Sequence, residues 1–151
     1  MDSEITIEPA QNDDYEWCAR LMSSNEPWIT LKRDLDGARA AMRRPGTELF
    51  VARSGGDCLG FVLLAPYGLA ASPYVASIAV DEAARGRGVG SRMLRFAEQR
   101  YTGRRNIFLL VSDFNPRARQ LYERTGYEYI GEIKDYVVAG HSELLFRKRL
   151  T

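Results

Sequence analysis

The chain has 151 residues, 45% of them hydrophobic and 27% charged, with a formal net charge of +1. Residues 1–151 read as one domain with enough apolar material for a core, which excludes a disordered tail, a collagen-like fibre and a disulfide-stapled miniprotein. The longest apolar-leaning run, Cys58 to Ala71, is broken by Gly60, Pro66 and Gly68. The opening Met-Asp-Ser-Glu lacks the regions of a secretory signal, and two cysteines make no disulfide framework, so a cytoplasmic protein with no membrane partner is expected.

In chain order, Ile5 and Ile7 alternate with polar residues and predict a short strand ending before Pro9. Asn12 is placed to cap a helix carrying Cys18, Leu21 and Met22 on its apolar face. Leu31, Leu35, Ala38 and Met42 predict a second helix, stopped by Pro45-Gly46. Glu48 to Arg53 and Cys58 to Ala65 flank Ser54-Gly55-Gly56-Asp57, a hairpin signal. A strand over Tyr74 to Val80 leads into a glycine-rich turn and a helix with Val89, Met93, Phe96, Ala97 and Tyr101 on one side. Ile107 to Val111 is a continuous apolar run, expected of a strand buried on both faces.

The next helix has the clearest punctuation: Asn115 as N-cap, Pro116 at the first helical position and Gly126 at the stop. Tyr127 to Lys134 and Ser142 to Arg149 complete the chain as two strands. The order is strand, two helices, three strands, helix, strand, helix, two strands. That predicts an α/β (mixed α+β) fold, a central mixed sheet of about seven strands with helices on both faces.

Charge is unevenly spread. Residues 85–124 hold ten arginines against Glu98, Asp113 and Glu123. Such a stretch marks either a polyanion site or two solvated helix faces. A nucleic-acid partner is not expected, because the rest of the surface is acidic and would repel a duplex. Ser77 to Ser91 places Arg85-Gly86-Arg87-Gly88-Val89-Gly90 between a strand and a helix. Glycines let the backbone crowd a ligand, and the first helical N–H groups have no partner within the helix, so the turn suits a phosphate. Its spacing is neither that of dinucleotide folds nor that of nucleotide-hydrolysing loops, and an ordinary tight turn is the plain alternative.

This segment resembles the Gln/Arg-x-x-Gly-x-Gly/Ala signature of the GNAT superfamily of N-acetyltransferases. Asn115-Pro116-Arg117-Ala118-Arg119-Gln120-Leu121-Tyr122-Glu123-Arg124-Thr125-Gly126-Tyr127 is similar to that superfamily's second signature. The tail from Lys134 to Glu143 more loosely resembles the branch that acetylates ribosomal-protein N-terminal alanines. The resemblance implies a GNAT-like acetyltransferase domain that binds acetyl-CoA. It implies main-chain contacts to the pyrophosphate from Arg87, Gly88, Val89, Gly90 and Ser91. Arg85, Arg87 and Arg92 are the side-chain phosphate candidates. Ile78, Ala79 and Val80 would pair with the pantetheine arm where two parallel strands splay apart. Asn115 would touch that arm, and Tyr122 would lie near the thioester sulfur.

Transfer to an amine needs a neutral nucleophile, a stabilised oxyanion and a proton for the leaving thiolate. A phenol with pKa about 10 can serve a thiolate whose acid sits near 8.5, so Tyr122 is the expected general acid, with packing beside Ala118 and Leu121 as its structural alternative. The Val80 N–H is the expected oxyanion donor. The carboxylate base does not carry over: the position matching the alanine acetyltransferases is Leu110, and Val75, Ser77 and Ala79 offer none on the preceding strand. Glu26, His141 and Glu143 are possible substitutes, as is a water chain, with Glu26, Trp28, Tyr136 and His141 expected to wall the acceptor. An α-amine, pKa about 7.7–8.0, would need less help than a lysine near 10.4. Neither cysteine sits in a catalytic context, which favours direct transfer, and no metal is expected. The acceptor is a peptide N-terminus or a small amine, and the final strands offer a route to a homodimer. The rival readings are a CoA-binding sensor without turnover and a nucleotide-binding regulator.

Overall fold

A computed structural model describes residues 4–151. The elements are β1 (Thr6–Pro9), α1 (Asn12–Ser23), α2 (Leu35–Met42), β2 (Glu48–Ser54), β3 (Asp57–Leu69) and β4 (Ser72–Val80). A 3₁₀ turn (Glu82–Ala84) leads to α3 (Val89–Arg100), β5 (Asn106–Ser112), α4 (Pro116–Arg124), β6 (Glu128–Ile133) and β7 (Glu143–Arg149). This is the predicted order. The strands form one sheet, β1-β2-β3-β4-β5-β7-β6, antiparallel everywhere except between β4 and β5. None of the described helices is long and apolar enough to cross a membrane.

Three local readings change. The first helix begins at Asn12 itself, so Asn12 is its first residue and Gln11 the cap, with the Gln11 N–H donating to the Asp14 carboxylate at 2.8 Å. The second helix starts later than Leu31, because Asp34 accepts the Gly37 N–H at 2.8 Å and fixes the helix start there. The Gly55-Gly56 turn lies where predicted, with φ of 59° and 90°, the left-handed pair that a two-residue hairpin requires.

The sheet buries both faces, but unequally. On one side Val62, Leu64, Val75, Ile107, Leu109, Leu144 and Phe146 pack under α3 and α4. On the other, Val51, Phe61 and Leu63 meet Cys18, Met22 and Met42 of α1 and α2. The two helices on that second side cover the β1–β4 half, and the β5–β7 half is left partly open. Hence β5 is not buried on both faces as its apolar run suggested: Ile107, Leu109 and Val111 are buried, whereas Phe108 and Leu110 are half-buried.

Phe146 is fully buried, with the rings of Tyr129 and Tyr122 at 5.8 and 6.4 Å. Phe146→Ala is expected to lower stability by about 3–5 kcal/mol, since a packed site on a central strand cannot collapse around the void. A shift of the urea midpoint with unchanged slope is the measurement that checks it.

Candidate active site

β4 and β5 pair only at Tyr74–Phe108 and Val75–Leu109. The cause is local. Against β3, the register passes from Leu64–Val75 to Leu63–Ser77, so Ala76 is one residue too many, a β-bulge that bends β4 away from β5. Beyond the bulge the two strands diverge. The Asp81 N–H donates to the Leu59 carbonyl at 2.8 Å. Strand amides alternate in direction, so Ala79 also faces β3 while the amides of Ile78 and Val80 face the opening. A gap edged by unpaired peptide groups invites an extended ligand with amides of its own.

The glycine-rich turn closes one end of that gap. Gly86 and Gly88 have φ of 82° and 77°, values that disfavour any side chain. Gly88 is the N-cap of α3 and has no side chain to offer, which leaves the amides of Val89, Gly90 and Ser91 free for an anion at the positive end of the helix. Gly90 does different work from its neighbours. A Cβ there would stand 3.2 Å from Leu121 Cδ2 and 3.9 Å from Val80 Cγ2, so its smallness lets α3, α4 and the end of β4 meet. The arginines divide. Arg87 is exposed, Arg85 reaches Asn25 Oδ1 at 3.3 Å, and Arg92 is turned to the Ile5 carbonyl at 3.1 Å.

Asn115 caps α4 as predicted, its Oδ1 accepting the Ala118 N–H at 3.3 Å. Tyr122 is 5% exposed, with Tyr127 edge-on at 6.1 Å. No hydrogen bond to the described residues holds its hydroxyl, yet no sealed side-chain oxygen lacks a partner. The hydroxyl therefore reaches solvent while the ring is core. Burial, with Tyr74 adding to it, pushes its pKa above the ordinary phenol value. It stays a neutral donor at any working pH, and a thiolate drawn into the same cleft would be desolvated too, which keeps donor and acceptor comparable.

The open face of β5 and β7 holds what the sequence left unsettled. Opposed strands place Ser112 beside Glu143 and Leu110 beside Leu145. Glu143 is 8% exposed, and the Ser112 hydroxyl donates to its Oε2 at 2.7 Å. No cation pairs with it among the described residues, and burial, with Asp113 adding to it, pushes its carboxyl pKa up. A buried carboxylate thus stands on β7, the strand paired with β5, opposite Ser112 rather than Leu110. Sequence position gave no means of ranking it, since only the β5–β7 register brings it there. Next to it, His141 Nδ1 lies 3.0 Å from Asp113 Oδ1, with its ring on Phe114 at 4.6 Å. The Ser142 amide first, and His141 after it, hold Asp113 below the ordinary carboxylate range.

Glu26 lies elsewhere, in the segment between α1 and α2. Both its oxygens are taken by Thr30, the N–H at 2.8 Å and the hydroxyl at 2.7 Å, and the hydroxyl, then the amide, hold its pKa down. A carboxylate so stabilised is a poor proton acceptor. Trp28 is half-buried against the α1–α2 core, and Tyr136 is 60% exposed in the β6–β7 connection. Tyr74 is pushed up to about 12 by burial, with the nearby charges of Tyr136 and Glu143 adding and Arg44 opposing. Cys18 is likewise pushed up to about 12 by burial, which removes it as a nucleophile.

Residues 8–127 match the acetyltransferase (GNAT) family. Among solved structures, the chain is similar to a GNAT-family protein of Desulfovibrio desulfuricans, at 20% identity and a TM-score of 0.84 over 98% of this chain and 100% of that one. It is similar to nourseothricin acetyltransferase at 28% identity and 0.64, over 71% and 67%. It also resembles an aminoglycoside 6'-N-acetyltransferase complexed with coenzyme A, at 14% identity and 0.78 over 97% of each chain. The split sheet, the open helix cap and the extent of the family match agree, and the chain belongs to the GNAT acetyltransferase family, with acetyl-CoA as its cosubstrate.

Proposed function

We propose that this acetyltransferase moves the acetyl group directly from acetyl-CoA to a primary amine, either a peptide N-terminus or a small molecule. The observation that carries this reading is the cleft itself. The β4–β5 pairing stops at Val75–Leu109, which leaves the amides of Ile78 and Val80 without a strand partner, and α3 begins at a glycine cap with free amides. Bound acetyl-CoA supplies an activated acyl group. The amides of Arg87 to Ser91 hold its pyrophosphate, with Arg85 and Arg87 as side-chain partners. Ile78 and Val80 pair with its pantetheine arm, Ala79 positions them by its bonds to β3, and Asn115 borders the arm.

Glu143 receives the proton of the attacking amine. Its raised pKa brings it nearer to that of an amine than an ordinary carboxylate would be, which makes it the more effective base. The Val80 N–H donates to the carbonyl oxygen as negative charge builds there. Tyr122 donates to the sulfur as the C–S bond breaks and is reprotonated from solvent. His141, oriented by Asp113, carries the proton of Glu143 outward, and Trp28, Glu26 and Tyr136 wall the acceptor. The buried Glu143 carboxylate favours this reading over a CoA-binding sensor without turnover. The exposed Tyr129, Ile130 and Ile133 on edge strand β6 are the surface through which two copies would pair.

The test is acetyl-CoA-dependent CoA release against panels of peptide N-termini and small amines, with mass spectrometry of the products. An acetylated amine supports the reading and identifies the acceptor class. Acetyl-CoA binding with no acetylated product from any panel would overturn it.

A further inference from the structure

The uncovered face of the β5–β7 half carries an apolar floor that belongs to neither core. Residues opposite each other on paired strands share a face, and so do residues two apart on one strand. The registers Ser112–Glu143 and Leu110–Leu145 therefore set Glu143, Leu110 and Leu145 on one side of the sheet, with Phe108 next along β5. Their alternates Ile107, Leu109, Val111, Leu144 and Phe146 turn the other way, into the core under α3 and α4. Phe108, Leu110 and Leu145 are half-buried and join neither that core nor the one under α1 and α2. Gly131 lies opposite Leu145 on β6, and a Cβ built on it would meet no atom within 4 Å. The floor beside Leu145 is open space.

The charge on this face is as restricted as its apolar surface. Two carboxylates are buried among the described residues, Asp14 and Glu143. Asp14 is paired with Arg53, whereas Glu143 accepts the Ser112 hydroxyl at 2.7 Å and forms no ion pair with the described residues. The neighbouring acids are already engaged. Asp113 accepts the Ser142 amide at 2.8 Å and meets His141 at 3.0 Å. Glu128, farther along the same face, pairs with Arg147 opposite it. A buried carboxylate without a counterion is costly, so a cation brought by a ligand is favoured there. One such carboxylate at the end of an apolar strip matches one positive charge. A second charge on the ligand would lie on Leu110 and Leu145 with nothing to pair it.

We propose that this floor binds the body of the acceptor, and that the enzyme acetylates a small monoamine bearing an apolar alkyl or aryl group. The amine stands at Glu143, and the apolar group lies along Leu145 and Leu110 toward Phe108. A strand rises about 3.4 Å per residue, so the strip from Glu143 to Arg147 is about 13 Å long, room for a chain of about six carbons or one aromatic ring on a short linker. The Arg147–Glu128 pair ends it on the β6 side. Around Leu145 the backbones of β5, β7 and β6 are paired with one another, so this stretch offers no main-chain partner to the amides of a peptide acceptor. The inference rests on the N-acetyltransfer reading above and narrows its substrate class.

The test measures kcat/KM at saturating acetyl-CoA for straight-chain monoamines from ethylamine to hexylamine. Phenethylamine, 1,5-diaminopentane and a peptide beginning with leucine are run alongside. Each methylene should raise kcat/KM about three- to fourfold until the floor is covered, the effect of burying one CH2 group. Pentylamine should exceed 1,5-diaminopentane, of the same length, by about tenfold or more, since the second ammonium would lose water without finding a partner. In a variant carrying Gly131→Leu the space beside Leu145 is filled, and the pentylamine-to-ethylamine ratio should fall about tenfold. Its melting temperature should stay near wild type, because the added Cβ meets nothing. The wild-type series decides the matter even where that variant does not fold. A flat series, a diamine used as well as the monoamine, a peptide used better than every monoamine, or an unchanged ratio in the folded variant would overturn the proposal while amine acetylation stands. Failure of every amine, the peptide included, would instead overturn the N-acetyltransfer reading and this inference with it.

Discussion

Tyr122→Phe is expected to lower kcat by about 10²- to 10⁴-fold, the usual worth of a positioned acid, while leaving the KM for acetyl-CoA near wild type. The variant removes one oxygen and nothing else. The ring stays packed on Tyr127 and Phe146, and the hydroxyl gives up no hydrogen bond to the described residues. Thermal stability should therefore match wild type, which separates loss of proton donation from loss of structure. Steady-state CoA release and a melting curve on the same sample check both halves. An unchanged kcat would mean that the sulfur takes its proton from elsewhere and that Tyr122 is only a core residue.

Glu143→Gln is expected to lower kcat/KM by about 10²-fold or more and to raise stability at neutral pH. Burial favours the protonated carboxyl, so the folded-state pKa lies above the unfolded one. The native state then binds more protons than the unfolded chain between those two values, and stability falls as pH rises through that window. At neutral pH the ionised group is thus a cost to the fold. Glutamine removes the charge and can still accept the Ser112 hydroxyl, so the cost goes while the packing remains. Activity should follow the opposite sign. In wild type the rate rises with pH through the elevated Glu143 pKa, because only the carboxylate accepts a proton, and in the variant that limb disappears. A purely structural Glu143 would move stability without flattening the pH profile.

These two residues illustrate how differently the site was legible. Tyr122 sits inside a local pattern, with Asn115 capping, Pro116 opening the helix and Leu121 beside it, so its place on α4 follows from nearby sequence. Glu143 belongs to no such pattern. Its significance comes from lying opposite Ser112, thirty-one residues away, across an antiparallel pair. The same division holds for the glycines. That Gly86 and Gly88 form a turn is readable from their spacing, but that Gly90 serves contact with Leu121 is visible only once α3 and α4 are packed.

What the sequence by itself determined was the order of elements, the Gly55-Gly56 hairpin, the glycine-rich turn before α3 and the cap of α4, because each depends on residues a few positions apart. Small local departures, Gln11 as cap and Leu35 as helix start, came from side-chain bonds that competing polar residues could make equally well on paper. Only the tertiary structure decided that Ala76 bulges and opens β4 from β5, that one face of β5 stays uncovered, and that Glu143 is buried against Ser112. Register, sheet curvature and the mutual field of distant charges arise from packing between segments far apart in the chain, and no window of adjacent residues contains them.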